Sequence, residues 1–512
     1  MSDDQRDVIA FLRDPFSYGP GVDRVEVVET HASLVFLPGA RAFKLKRAVK
    51  YPYLDFSTAA LRRRACEAEL ALNRRTAPAI YEEVRGVFRQ PDGTVGFAPN
   101  GGAIDWLVVM RRFDEALLFD ALADAGRLDR QLMDKLADHI ARFHASAEQR
   151  SGRGGAAEMA ELAEVQSHCL STTSDAGFGA ERADTLLAEW RERVAALAEL
   201  LDRRRASGKV RHCHGDLHLR NICLFDDRPT LFDCLEFDDG LASIDVLYDL
   251  AFLLMDLEHR RLPNFANRVL NRYLDRTAED DGLAAMPLFL SLRAAIRAHV
   301  TASALRHAGG TDRAAKMARH AREYLGLAEW FLRPQPRRLV AIGGLSGTGK
   351  STLAAGLAPE LGLRPGARVL RSDVTRKLLL GVEPEERLPA TAYGSEISRQ
   401  VYDAMCEKAA TALAAGYTVI IDAVALRPEE RSSFARVART AAAQFSGLWL
   451  EARPETMTDR IRGRVRDASD ASPEVLAEQL GHDPGEIDWA RLDAGRARQD
   501  CLAAARRALG LG

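Results

Sequence analysis

The densest set of reactive side chains in this sequence is centred on His214-Gly215-Asp216. Asn221 follows Asp216 by five residues, and two short β-like runs after it flank the turn sequence Asp-Asp-Arg-Pro. Pairing across this predicted hairpin returns Asp233 to the side of Asn221. Two oxygen ligands for a hard cation therefore converge a few residues from Asp216. This grouping predicts a site for a Mg²⁺-nucleotide in which Asp216 takes the proton of an acceptor hydroxyl.

Two simpler interpretations explain this stretch less well. A hydrogen-bonded H-G-D turn with no chemical role leaves Asn221 and Asp233 unexplained. A zinc site is the other alternative, because histidines and cysteines crowd the region. The sequence contains no C-x-x-C pair or H-E-x-x-H helix there, which argues against zinc. The residues concerned are His212, Cys213, His214, His218, Cys223 and Cys234.

A second chemical centre follows the apolar, strand-like residues 339–343. The next residues read G-L-S-G-T-G-K-S, which is the pattern G-x-x-x-x-G-K-[ST] between a strand and a helix. The glycines let backbone N–H groups wrap a phosphate, and the helix N-terminus adds a favourable dipole. Lys350 neutralises the β- and γ-phosphates and Ser351 ligates Mg²⁺. The predicted nucleotide contacts are Gly344, Ser346, Gly347, Thr348, Gly349, Lys350, Ser351 and Thr352.

Two further strand patterns end in carboxylates. Residues 367–371 lead into Ser372-Asp373, and residues 417–421 lead into Asp422. Ligands bind at the C-terminal edge of the strands in doubly wound α/β domains. An aspartate after the second strand, without an N-K-x-D motif, points to a kinase of small metabolites.

Arg460 and Arg464 stand at i and i+4 on a helix predicted after the strand 448–451. This spacing places two guanidinium groups on one face, where a lid could bring them to the transferring phosphoryl group. A solvated basic helix is the alternative interpretation.

The pattern H-G-D-x-H-x-x-N, followed by an aspartate at the end of a hairpin, resembles the aminoglycoside phosphotransferase branch of the protein-kinase-like fold. His214 to Asn221 and Asp233 carry that resemblance. It implies a small-molecule kinase rather than a protein kinase, with a small β-rich N-lobe and a helical C-lobe.

The same resemblance implies an N-lobe strand lysine that contacts the nucleotide phosphates and pairs with a helix glutamate. Lys44 fits in the A-x-K pattern of residues 42–44, and Lys46 shares its face of the strand as the alternative. Glu67 is the preferred helix partner, with Glu69 as the alternative. The apolar stretch 106–111 would be the hinge between the lobes.

The second centre, G-x-S-G-T-G-K-S-T followed by S-D-x-x-R-K-x-L, resembles the gluconate-kinase and zeta-toxin-like P-loop kinases. This likeness implies that Asp373 addresses the acceptor hydroxyl. Asp422 is then a contact for a Mg²⁺-bound water or for the substrate.

The whole chain resembles bacterial fusions of an aminoglycoside-phosphotransferase-like domain with a P-loop kinase domain. The expected fold is multidomain, with a bilobal α+β kinase-like domain over residues 1–335 and a doubly wound α/β domain over residues 336–512. The first is divided into an N-lobe to about residue 105, the hinge 106–111 and a C-lobe over residues 112–332. Arg333-Pro-Gln-Pro marks the boundary.

Composition excludes several other classes of protein. The 512 residues are 47% hydrophobic and 28% charged, with a formal net charge of −2, which gives no support for binding nucleic acid or a membrane surface. Seven cysteines without a pattern suit a reducing compartment. The acidic N-terminus has no apolar signal region, so the predicted location is the cytoplasm.

The leading hypothesis is therefore an ATP- and Mg²⁺-dependent enzyme with two nucleotide sites, which phosphorylates hydroxyls of small molecules. One alternative is that the P-loop domain is a nucleotide-dependent switch that regulates the other domain. Another is an aminoglycoside-type antibiotic-resistance kinase. The sequence leaves the acceptor and the oligomeric state open.

Overall fold

A computed structural model describes residues 5–30, 32–51, 54–173, 178–236, 238–307, 311–463 and 468–511. The chain divides into two compact units. The first comprises Met1–Gly154 and Arg204–Leu253, and the second comprises Gly155–Arg203 and Leu254–Gly512. The proposed domain boundary at residues 335/336 stays a prediction, because the second unit includes both helices from before it and the P-loop region after it.

The strands are β1 (Val25–Glu29), β2 (Ser33–Pro38), β3 (Arg41–Lys46), β4 (Lys50–Tyr51), β5 (Leu54–Asp55), β6 (Tyr81–Arg89), β7 (Val95–Gly96), β8 (Ala103–Arg111), β9 (Val210–His212), β10 (Ile222–Phe225), β11 (Arg228–Leu231), β12 (Ser243–Asp245), β13 (Arg338–Gly343), β14 (Arg368–Arg371), β15 (Val419–Asp422), β16 (Gln444–Glu451) and β17 (Ala490–Asp493).

The helices are α1 (Arg6–Arg13), α2 (Ala59–Asn73), α3 (Phe119–Asp124), α4 (Arg130–Ser146), α5 (Gly155–Thr172), α6 (Ala180–Ala206), α7 (Asp239–Ala242), α8 (Val246–His259), α9 (Pro263–Thr277), α10 (Met286–Ser303), α11 (Thr311–Phe331), α12 (Lys350–Leu357), α13 (Ser372–Leu379), α14 (Ser395–Ala414), α15 (Pro428–Thr440), α16 (Pro454–Arg462), α17 (Pro473–Leu480) and α18 (Arg498–Ala508).

The first unit is built on an antiparallel sheet with the strand order β1-β2-β3-β8-β6-β7. Alternate residues of β2 and β3 point to one face, so that Leu34, Phe36, Phe43 and Leu45 form a core with α1. Helix α2 contacts β6 and β8. The predicted β-rich lobe is confirmed.

The stretch predicted as a hinge is instead the second half of β8. Leu107 to Arg111 pair with β3 on one side, and Trp106 to Met110 pair with β6 on the other. The apolar side chains that suggested a strand also place it inside the sheet, where its backbone groups are already hydrogen-bonded. Residues 106–111 therefore lie within the sheet, and the assignment of the hinge between the lobes to this stretch stays a prediction.

The second unit contains a parallel sheet with the order β14-β15-β13-β16-β17. Strands β13 and β15 at its centre are buried on both faces, as in doubly wound folds. Val340, Ile342, Ile420 and Leu448 form the core together with residues of α12 and α18. The predicted α/β architecture of the P-loop region is confirmed.

Helices earlier in the chain cover the edge strand of this sheet. The Arg368 guanidinium of β14 is fully buried and pairs with Asp275 and Asp280 at 2.8 and 2.7 Å. The side chain of Asn271 on α9 accepts a hydrogen bond from the Val369 backbone N–H at 2.7 Å. Strand β14 is thereby held on α9 within the second unit.

One stretch of the described chain, Asp280–Ser303, is long and apolar enough to cross a membrane. Its mean hydropathy reaches 1.3, but 72% of that window is buried in the protein. This degree of burial is that of a core helix, because α10 packs against α5 and α11.

Candidate functional site

The His214-Gly215-Asp216 loop is fixed by a buried carboxylate on α8. The carboxylate of Asp249 accepts hydrogen bonds from the backbone N–H groups of His214 and Gly215 at 3.1 and 2.9 Å. The Nε2 atom of His144 lies 3.1 Å from the same carboxylate. Asp249 is fully buried, so it positions the loop and does not itself meet a substrate.

Asp216 stands at the surface of the site while its neighbours are buried. The Nδ2 group of Asn221 donates to the backbone oxygen and to Oδ2 of Asp216, both at 2.9 Å. The Nε2 atom of His218 lies 3.3 Å from the same Oδ2. The side chain of Asp216 remains 39% exposed, so it is oriented from behind and reachable from the front.

The predicted hairpin follows and returns the chain to Asn221, but its turn is shorter than the predicted Asp-Asp-Arg-Pro turn. Strands β10 and β11 pair from Ile222↔Leu231 to Phe225↔Arg228. The turn is Asp226-Asp227, whose φ angles are +47° and +58°. Both central residues are left-handed, as in a two-residue type I′ turn, so Pro229 lies in the strand rather than in the turn. The Phe232 N–H donates to the Asn221 carbonyl at 3.0 Å, which returns Asp233 to Asn221.

Both candidate lysines of β3 contact one helix carboxylate, and it belongs to Glu69. Lys44 Nζ lies 2.8 Å from Oε1 and Lys46 Nζ lies 2.7 Å from Oε2 of Glu69, which is fully buried. Glu67 is half exposed and pairs with Arg63, so the preference for Glu67 is wrong. Two residues on a helix lie about 200° apart, which directs Glu67 to solvent.

A signal for Glu69 was present in the sequence. The buried residues of α2 are Arg62, Cys66, Glu69 and Asn73, which recur at helical spacing. Burial by itself raises the pKa of Glu69, but the two ammonium groups outweigh this effect and hold it at about 2.

The two lysines differ in their second partner. Lys44 Nζ lies 2.8 Å from Oδ1 of Asp233, the predicted metal ligand, and its side chain is 14% exposed. Lys46 is buried and contacts Oε1 of Glu236 at 2.6 Å. Lys44 is thus the lysine that faces the site. Glu236, three residues after Asp233, was not predicted.

In the second unit the P-loop joins β13 to α12 as predicted, and its glycines are required by close packing. A Cβ atom on Gly344 would lie 2.5 Å from the Leu450 carbonyl oxygen, and one on Gly347 would lie 2.5 Å from that of Met457. Both glycines have positive φ, at +132° and +85°. The ammonium group of Lys350 donates to the carbonyls of Gly344 and Leu345 at 2.8 and 3.0 Å.

An arginine that was not predicted links the two metal candidates of this site. Nη2 of Arg371 donates to the Ser351 hydroxyl at 3.2 Å, and its Nε lies 3.3 Å from Oδ2 of Asp422. Arg371 and Asp422 are register partners at the ends of β14 and β15. That register is the consequence of the sheet order, which the sequence did not specify.

Asp373 begins α13 beside this cluster. Burial raises its pKa, the Arg371 charge and a hydrogen bond with the Ser469 side chain lower it, and the nearby Asp422 charge raises it further. Asp373 therefore holds a proton more readily than an exposed aspartate does.

Of the two arginines predicted to belong to a lid, the structure describes only Arg460. Arg460 on α16 donates to the carbonyl of Thr348 at 3.2 Å and to that of Ala494 at 2.8 Å, so its guanidinium lies against the P-loop. Arg464 lies outside the described residues. The role of these arginines at a phosphoryl group stays a prediction.

A cavity of about 1430 Å³ brings the predicted groups of the second unit together. Its lining includes Ser346 to Thr352, Asp373, Asp422 and Arg460. The same cavity is lined by Arg376, which is 6% exposed, contacts the Tyr393 ring and donates to the Ala392 carbonyl at 2.8 Å. Both a nucleotide and a small molecule fit a cavity of this size.

Comparison with known proteins gives matches to two family models. Residues 95–289 match the model described as the phosphotransferase enzyme family, and residues 339–482 match an AAA domain model. The chain is 32% identical over 477 residues to an uncharacterized protein of Mycobacterium tuberculosis strain H37Rv, covering 91% of each chain. An uncharacterized protein of Mycobacterium bovis matches equally well.

Solved kinase structures resemble parts of the chain. A choline/ethanolamine kinase family protein of Mesorhizobium loti matches 64% of this chain and 99% of its own, with 15% identity and a TM-score of 0.38. A gluconokinase of Sinorhizobium meliloti matches 35% of this chain and 94% of its own, with 20% identity and a TM-score of 0.26.

Proposed function

Because the chain belongs to the family of these mycobacterial proteins, with a phosphotransferase-family domain before a P-loop kinase-type domain, we propose that it has two kinase sites. Each site transfers the γ-phosphoryl group of ATP to a hydroxyl of a small molecule, with Mg²⁺. The observation that carries the proposal is the convergence of Asp216, Asn221, Asp233 and Lys44 in the first unit.

In the first site Asp216 accepts the proton of the acceptor hydroxyl, and Lys44 contacts the nucleotide phosphates. Asn221 uses its Nδ2 group on Asp216, so Oδ1 is the atom that would meet a cation. Asp233 supplies a carboxylate whose side chain is 43% exposed. Two hard oxygen donors of this kind fit Mg²⁺, which neutralises charge on the transferring phosphoryl group when it is bound.

In the second site Asp373 accepts the proton of the acceptor, and Ser351 with Asp422 would hold Mg²⁺. Lys350 turns from the carbonyls of its own loop to the phosphates. At the acceptor end, Arg376 is almost buried, and its Nε atom has no hydrogen-bond partner among the described residues. A buried cation of this kind favours an acceptor that carries an anionic group.

The proposal is tested by measurement of ATP turnover in the wild type, Asp216→Asn and Lys350→Ala. Each protein is assayed with and without a metabolite extract as the acceptor pool. Asp227→Asn in the exposed turn and Lys316→Ala on α11 are the matched controls. Loss of the proton acceptor lowers one acceptor-stimulated activity by roughly 10²–10⁴-fold. Lys350→Ala removes the other activity, and mass spectrometry of the extract names both acceptors. Unchanged turnover in both variants rules out the two-site kinase.

A regulatory role of the P-loop region is the second candidate, and the hold of α9 on β14 favours it. Strand β14 carries Arg368 at its start, clamped by Asp275 and Asp280, and ends at Arg371, which contacts Ser351. The binding of a nucleotide at Ser351 would therefore be transmitted through β14 to the helices that precede the P-loop in the chain. In this case Lys350→Ala abolishes transfer at the Asp216 site while that site still binds ATP.

A further inference from the structure

Ser469 lies in residues 468–472, the loop that leads into α17, and the next residue fixes this loop. The carboxylate of Asp470 receives three hydrogen bonds. They come from Lys377 Nζ at 3.1 Å, the Leu388 backbone N–H at 3.1 Å and the Tyr393 hydroxyl at 2.8 Å. Lys377 is fully buried, so this anchor is part of the packed interior. The loop around Ser469 is thereby held against α13.

The anchored loop places the Ser469 side chain on Asp373. The Ser469 hydroxyl is hydrogen-bonded to that carboxylate, and both residues line the cavity that also contains Lys350 and Ser351. Asp373 is the group proposed to receive the proton of an acceptor hydroxyl. A serine hydroxyl on this carboxylate therefore occupies the position in which the acceptor hydroxyl is expected, in the same cavity as the phosphate-binding loop.

We propose that Ser469 is a phosphorylation site of this chain, modified by its own P-loop site. The inference rests on the proposed kinase activity of that site. The Ser469 oxygen forms a bond to the γ-phosphorus of ATP as the bond from that phosphorus to the β–γ bridging oxygen breaks. ADP leaves, and the hydroxyl proton passes to Asp373. The products are ADP and a phosphoserine at residue 469.

Phosphorylation changes the site electrostatically. A phosphoserine carries nearly two negative charges at neutral pH. Beside Asp373, it adds negative charge at the position proposed for the acceptor hydroxyl. The modified protein then has different kinetics toward a small-molecule acceptor than the unmodified protein.

The test uses the full-length protein, treated with phosphatase and then incubated with Mg²⁺ and ATP without an acceptor. Peptide mapping by mass spectrometry locates and quantifies the phosphate. We expect one phosphate at Ser469, none in Lys350→Ala, and a rate lower by roughly 10²–10⁴-fold in Asp373→Asn. Ser469→Ala loses the phosphate, whereas Ser472→Ala, in the same loop, keeps it on Ser469.

The outcomes separate this inference from the proposed function. Lys350-dependent phosphorylation of a metabolite without phosphate on Ser469 overturns the inference and leaves the proposed function standing. Phosphate on Ser469 without transfer to any metabolite supports the inference and contradicts the proposed acceptor class. Phosphate that persists in Lys350→Ala, or a first-order rate constant that rises with protein concentration, shows that another site or another molecule is the donor and overturns the inference.

Discussion

The ammonium group of Lys44 lies 2.8 Å from Oδ1 of Asp233, a residue 189 positions later in the chain. This contact joins β3 of the N-terminal sheet to the residues that follow the β10–β11 hairpin. Asp233 and Glu69 together outweigh burial and raise the pKa of Lys44, so the lysine is charged at every physiological pH. A nucleotide bound at the proposed site would share this cation with Asp233.

Lys44→Met is expected to remove transfer at the Asp216 site while the first unit stays folded. Lys46 still neutralises the buried Glu69 carboxylate in this variant. Acceptor-stimulated turnover falls by about 10²–10³-fold, because the loss of one positioned charge at a phosphoryl group costs that much. Turnover and thermal unfolding measured on the same preparation check this. A variant that unfolds early but retains its specific activity contradicts the role.

Glu69→Gln is expected to destabilise the protein far more than Glu67→Gln. Glu69 is the shared partner of two buried lysines, and removal of one member of a buried ion pair costs about 3–5 kcal/mol. Glu67 belongs to a half-exposed pair with Arg63, worth at most about 1 kcal/mol. Urea unfolding of both variants distinguishes them. Equal midpoints would show that the pairs of Glu69 with Lys44 and Lys46 do not stabilise the protein.

Asp249→Asn is expected to lower kcat at the Asp216 site by about 10-fold or more without changing the affinity for ATP. The substitution weakens the acceptor of two loop N–H groups, so Asp216 loses its orientation while the nucleotide contacts remain. Separate measurement of ATP binding and of kcat tests this. A parallel loss of ATP affinity would mean that Asp249 supports the whole site rather than the loop.

Arg368→Leu is expected to destabilise the second unit by about 3 kcal/mol or more, because Asp275 and Asp280 lose the cation that neutralises them. Arg506→Ala, which removes an exposed pair with Glu360, serves as the control and should leave the unfolding midpoint almost unchanged. Chemical unfolding followed by tryptophan fluorescence measures both. A small effect of Arg368→Leu would contradict the hold of α9 on β14.

Glu258 is expected to make the stability of the second unit depend on pH. Burial raises its pKa to about 7, and Arg364 opposes this only weakly at 3.9 Å. Because the pKa of Glu258 is higher in the folded state, its contribution to the free energy of unfolding is complete below the unfolded pKa near 4.5. This contribution is lost as the pH rises through 7. Tm should therefore fall between these values in the wild type and fall less in Glu258→Gln. Parallel Tm profiles would rule this group out.

Sequence alone predicted the parts of the site that depend on neighbouring residues. His214 to Asn221, the hairpin to Asp233 and the P-loop from Gly344 to Ser351 each form within one local supersecondary unit, so spacing is enough to bring their groups together. The strand–loop–helix at the P-loop was predicted from its motif in the same way, whereas the β-rich first lobe was implied by the family resemblance.

Contacts between distant segments were decided by the tertiary structure. The choice of Glu69 over Glu67 depends on which face of α2 meets the sheet, and the pairing of Arg371 with Asp422 depends on the strand order. The contacts of Lys46 with Glu236 and of Ser469 with Asp373 join residues whose spacing carries no periodic signal. Motif spacing determines which chemistry is available, whereas the packing of helices and strands determines which charges are buried together.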